Sequence, residues 1–74
     1  MYEKVCEILA EFTKVEMHKI TPEMKIMRDL GMSSCDILDA VIRFEEEFGI
    51  AVANSMISTF LTVGDVVEYI EKAI

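Results

Sequence analysis

Apolar residues recur at helical spacing in three stretches of this chain, and that period limits the fold to a packing of helices. In the first stretch Val5, Ile8, Leu9, Phe12 and Val15 fall at i, i+3, i+4, i+7 and i+10, while Glu3, Glu7, Glu11 and Lys14 lie off the stripe. In the second, Ile37, Leu38, Val41, Ile42, Phe44 and Phe48 share one broad arc, and Asp36, Asp39, Arg43, Glu46 and Glu47 share the other. In the third, Val63, Val66, Val67, Ile70 and Ile74 form a stripe that excludes Asp65, Glu68 and Glu71. One proline and three glycines leave room for long regular elements, and a hydrophobic content of 53% argues against disorder. The expected fold class is all-α, and 74 residues suit a single small domain spanning 1–74.

The helix boundaries have chemical causes. Ser33 precedes the second pattern with Asp36 three residues on, and Thr62 precedes the third with Asp65 three residues on. Both resemble capping boxes, in which a side-chain oxygen accepts an orphan N–H of the first turn. Gly49 follows Phe48 and suits a left-handed position past the helix end. Glu45 projects onto the apolar arc of the second helix, so it is expected at the rim or bonded to a polar partner. Between Gly49 and Thr62, "IAVANSMISTFL" has room for one short helix with Met56, Ile57 and Phe60 inward. Residues 17–32 form a long connection. Thr21-Pro22 predicts one helical turn there, and Ile20, Ile26 and Leu30 are expected to plug the core. Phe48 is the expected anchor of the second helix.

The stretch "RDLGMSSCDILDAV" places two serines side by side at a helix start. Ser33 has a local task as the cap. Ser34 then falls at the first helical position, where it caps nothing and its hydroxyl projects towards solvent. Free N–H groups and the positive end of the helix dipole favour an anion beside it, so a phosphate on Ser34 would sit well. On geometry alone the first reading of Ser34 is a small polar residue at a helix start.

The wider context is more specific. "DLGMSSCDILDAVIRFEEEFGI" resembles the signature of acyl carrier proteins, D-L-G-x-D-S-L-D followed by an acidic helix and E-E-E-F, and "LTVGDVVEYIEK" resembles that family's last helix. The resemblance covers nearly the whole chain in the right order. It implies a four-helix bundle with a long first loop and a short third helix. It also implies that Ser34 carries 4′-phosphopantetheine, installed from coenzyme A by a carrier-protein synthase. The arm ends in a thiol that holds acyl groups as thioesters, which the bundle can shelter between its helices and present to enzymes of fatty-acid, polyketide or specialised lipid synthesis. The carrier itself catalyses nothing. Four departures bear on its partners. Ser33 stands where the family has Asp, Cys35 where it has Leu, Arg43 interrupts an acidic face, and "ANSMISTF" lacks acids. They point to a specialised carrier.

Charge and cysteine content narrow the partners further. Fourteen acidic residues against seven basic ones give a net charge of −7, which argues against nucleic acid and anionic membranes and suits basic protein surfaces. Asp36, Asp39, Arg43, Glu46 and Glu47 are therefore the expected docking face, with Arg43 weakening attraction to surfaces tuned for ordinary carriers. The two cysteines, Cys6 and Cys35, and a start without an apolar signal segment suit a cytoplasmic monomer with reduced thiols. His18 is the single histidine and has no partner ligand in the sequence, so no metal site is expected. The alternative function is an unmodified, carrier-like acidic module that acts only in protein–protein interaction.

Overall fold

The computed structural model describes residues 1–74. Helix α1 spans Tyr2–Leu9, α2 spans Ser34–Phe48, α3 spans Asn54–Ile57 and α4 spans Val63–Ala73, with a 3₁₀ turn at Met17–Lys19. The chain has four helices, no strands, a long first connection and a short third helix, as expected. The sixteen buried residues are all hydrophobic and form one cluster. Val5, Ile8 and Leu9 enter it from α1, Ile37, Ala40, Val41 and Phe44 from α2, and Val63, Val66 and Ile70 from α4.

The long connection is part of the core. Ile20, Ile26, Leu30 and Met32 are buried, and backbone hydrogen bonds fasten the segment to the entry of α4. The Ile26 N–H donates to the Leu61 carbonyl at 3.0 Å, Val63 to Met24 at 3.0 Å and Gly64 to Pro22 at 2.8 Å. A Cβ at residue 64 would sit 3.1 Å from the Pro22 carbonyl oxygen, so glycine permits that approach. Two side chains pin the rest. The Tyr2 hydroxyl donates to the Ile20 carbonyl at 3.1 Å, and Thr13 Oγ1 donates to the Leu30 carbonyl at 2.6 Å. Burial first, with Cys6 beside it, pushes the Tyr2 hydroxyl up to about 12.

Three expectations need correction. The first stripe continues to Val15, but α1 stops at Leu9. Glu11 and Phe12 bond back three residues, to Ile8 and Leu9, and Thr13 Oγ1 accepts the Val15 N–H. The chain thus leaves the helix in tight turns while Phe12 and Val15 still pack on the core. Thr21-Pro22 starts the single turn expected there, closed by Met24 N–H to Thr21 O, and a 3₁₀ helix that was not expected lies earlier, at Met17–Lys19. Leu38 and Ile42 are 48% and 52% exposed, because the buried arc of α2 is centred on Phe44 and includes Ala40. Phe48, one turn beyond Phe44, is half-buried at the helix end, so Phe44 is the anchor.

Candidate functional site

The start of α2 is fixed by a reciprocal cap. Ser33 is extended, with φ −82° and ψ 170°, and its Oγ accepts the Asp36 N–H at 3.2 Å. The Asp36 carboxylate accepts the Ser33 N–H at 3.0 Å. Asp36 also places a negative charge in the first turn, where the helix dipole favours it. Both serines are exposed, but their hydroxyls differ: that of Ser33 is held by the cap, whereas that of Ser34 makes no hydrogen bond within the protein. The first N–H groups of a helix have no partner within it. Those of Ser34 and Cys35 therefore remain open to an anion beside the free hydroxyl.

Ser34 stands on the rim of an apolar cleft of about 400 Å³ between α2, α3 and the connection before α2. Met27, Ile37, Leu38, Ile57, Phe60 and Leu61 supply its apolar lining. The loop between α2 and α3 is held by Glu45, whose carboxylate accepts the Val52 N–H at 2.9 Å, so this acid has the polar partner its position requires. Gly49, at φ 65° and ψ 36°, makes the turn between them.

The acids and the arginine of α2 share one arc of roughly 100°, on which Asp39 and Arg43 are i, i+4 neighbours. Ser34, Leu38 and Ile42 lie at i, i+4 and i+8 and form one ridge. Asp39 and Glu46 flank that ridge on the exposed side. Asp36, Arg43 and Glu47, at i, i+7 and i+11, lie on the stripe of that arc farther from Ser34. Arg43 is turned away from Ser34 by an ion pair with Glu11, in which Nη2 donates to Oε2 at 3.0 Å and Nε to Oε1 at 3.3 Å. The hydrogen bond from Arg43 holds the Glu11 carboxyl below its ordinary range, and the same bond, with Glu46 and Glu47 adding attraction, raises Arg43. Arg43, expected amid the acidic face of α2, forms an ion pair that ties α2 to the turn after α1. Leu38, Ile42 and the cleft residue Phe60 were missing from the expected site. The ridge spacing from Ser34 is the signal that places the first two beside it.

Cys6 is buried, Cys35 is exposed, and both are free thiols. No helix is long and apolar enough to cross a membrane.

A capped helix start that leaves one serine free beside an apolar cleft defines a protein that can be modified there and can shelter a chain. Known proteins agree with that class. The family described as "Phosphopantetheine attachment site" matches residues 3–70, and the chain belongs to this family of carriers. It is 42% identical to the acyl carrier protein of Thermotoga maritima over 72 residues, which is 97% of this chain and 89% of that protein. A solved acyl carrier protein from Enterococcus faecalis superposes with a TM-score of 0.85 at 27% identity, covering 99% of this chain and 92% of that one. The protein is accordingly an acyl-carrying protein and not an enzyme, and its cofactor is covalent 4′-phosphopantetheine. The residues present fit that group: an unengaged hydroxyl, open N–H groups for its phosphate and an apolar cleft for what it carries. When bound, the group supplies a thiol that holds acyl chains as thioesters. Carriers of this family are served by a synthase and by biosynthetic enzymes.

Proposed function

We propose that Ser34 is the attachment residue and that the chain presents acyl groups to enzymes of fatty-acid or related lipid synthesis. The observation that carries this reading is the division of labour between adjacent serines, with Ser33 engaged in the cap and Ser34 unengaged on the cleft rim. In loading, Ser34 Oγ forms a phosphodiester with the phosphopantetheine phosphorus of coenzyme A. The adenosine bisphosphate half leaves, and the hydroxyl proton passes to the synthase. The chain holds the hydroxyl in the open.

Partners dock on the ridge of Leu38 and Ile42, with Asp39 and Glu46 meeting a basic surface. Asp36 serves the cap, and Arg43 serves Glu11. Glu47 shares the Arg43 stripe and lies off this surface. One compact hydrophobic cluster suits a monomeric, single-domain carrier. Two unpaired thiols suit the cytoplasm.

The test is intact mass after incubation with coenzyme A and a carrier-protein synthase. Wild type and Ser33→Ala should each gain one phosphopantetheine, and Ser34→Ala none. Tandem mass spectrometry that locates the group on Ser33 overturns the assignment. A wild type that is never loaded favours the unmodified interaction module instead.

A further inference from the structure

Unpaired positive charge is gathered in one segment of the chain. Four of the seven basic residues, Lys14, Lys19, Lys25 and Arg28, lie in the connection between α1 and α2. All four are exposed, and none forms an ion pair. The other three, Lys4, Arg43 and Lys72, are each paired with a glutamate. Every cation on a helix is thus matched, and every cation in the connection is free.

Two of the free cations share one groove. Lys14 and Arg28 line a surface groove bounded by Gly31 and by Asp36 in the first turn of α2. Three carboxylates line it as well, and each already has a partner. Glu11 accepts from Arg43 at 3.0 and 3.3 Å, Asp29 accepts the Lys25 N–H at 2.7 Å, and Asp36 accepts the Ser33 N–H at 3.0 Å. An incoming group therefore meets two unsatisfied cations among carboxylates that are engaged. The planar fork of the Arg28 guanidinium matches a carboxylate.

The groove lies close to the attachment residue. Met27 lines the Ser34 cleft, and Arg28, the next residue, lines the groove. Cleft and groove therefore adjoin along residues 27–36, which include Ser34. An enzyme that transfers phosphopantetheine must bring its phosphorus within bonding distance of Ser34 Oγ, so it covers this segment. Enzymes that act later work at the far end of the arm.

We propose that Lys14 and Arg28 dock a carboxylate side chain of the carrier-protein synthase. The proposal deepens the reading of Ser34 as the attachment residue and rests on it. The synthase then meets two opposite charges on the carrier, with basic groups at Asp39 and Glu46 and an acidic group at Arg28. Two signs fix orientation as well as attraction, because a shifted or reversed pose brings like charges together.

The test measures loading of Arg28→Glu, Lys14→Glu and Lys19→Glu by the synthase encoded in the same genome. Failure of the Ser34 reading appears first, as wild type that gains no mass or gains it elsewhere. The sign of the rate change then decides the proposal. Each substitution adds two units of negative charge, which strengthens general attraction to a basic enzyme and should speed loading. At low salt Arg28→Glu should instead lower kcat/KM roughly tenfold, as expected for loss of a close interfacial charge pair. Lys14→Glu should lower it as well, and Lys19→Glu, which lies off the groove, should not. Arg28 makes no side-chain hydrogen bond or ion pair within the protein, and circular dichroism should show its variant folded. In a scan of the surface carboxylates of the synthase, one exchange to lysine should restore the rate of Arg28→Glu while slowing wild type. Loading of Arg28→Glu at or above the wild-type rate, equal slowing by Lys19→Glu, or no restoring exchange each overturns the proposal. A wild type that is dimeric in the assay and monomeric as Arg28→Glu would give the groove to a second copy of the chain and overturn it too.

Discussion

Ser33 and Ser34 are chemically identical neighbours with different environments, and one hydrogen-bond register separates them. Ser33→Ala removes the acceptor for the Asp36 N–H but leaves the Asp36 carboxylate on the Ser33 N–H. Stability should fall by ~1 kcal/mol in denaturant titrations, a usual loss for such a cap, while loading at Ser34 persists. An unchanged midpoint would mean that solvent replaces the cap at no cost. Arg43 and Glu11 give a second residue-scale test. The folded pKa of Glu11 lies below its unfolded value because Arg43 bonds to the ionised form. The pair therefore favours the folded state above the unfolded pKa of Glu11, and that contribution is lost as pH falls through the lowered folded value. The carboxyl resonance of Glu11, followed by NMR, should titrate below the ordinary glutamate midpoint and return to it in Arg43→Ala. Exposure of both side chains keeps the effect on overall stability small.

At the scale of elements, what the sequence makes legible is whatever side-chain period and capping chemistry control. Helix α2 is legible at both ends, since Ser33, Asp36 and Gly49 act locally, and so is the start of α4 at Thr62 and Asp65. Ile20, Ile26 and Leu30 were expected inside and are inside. The end of α1 was not legible. Period reports which side chains face the core, and Phe12 and Val15 face it from turns as well as they would from a helix. The ties between residues 22–26 and 61–64 were hidden for another reason: they join backbone to backbone, and no side-chain pattern encodes them. At the site, the Ser33 cap was legible from local spacing. Phe60 was expected inside, but its place in the cleft beside Ser34 depends on how the α3 segment meets α2. The breadth of the α2 apolar arc was overestimated, and this has a measurable consequence. Phe44→Ala should cost ~3–5 kcal/mol, comparable with the ~3–5 kcal/mol that a core of this size supplies, so the variant should be largely unfolded. Phe48→Ala should melt cooperatively with a smaller loss. Equal losses in the two variants, measured by circular dichroism, would restore Phe48 as the anchor.

At the scale of the whole molecule, a net charge of −7 acts together with a small exposed apolar ridge. The two features govern different stages of recognition. Long-range attraction between this acidic surface and a basic partner speeds encounter and is screened over ~8 Å at physiological ionic strength. Contact on Leu38 and Ile42 buries apolar area, which screening hardly touches. Loading kinetics across a salt series should therefore separate the two kinds of residue. Asp39→Lys should slow loading most at low salt, with the deficit shrinking as salt rises. Ile42→Ser should slow it by a similar factor at every salt concentration. Arg43→Ala should leave the rate near wild type, because its guanidinium is engaged with Glu11 on the other stripe of α2. The reverse pattern, with Arg43→Ala altering the rate and Asp39→Lys and Ile42→Ser silent, would place the docking surface on the α1 side of α2. The ridge that begins at Ser34 would then serve the cleft alone.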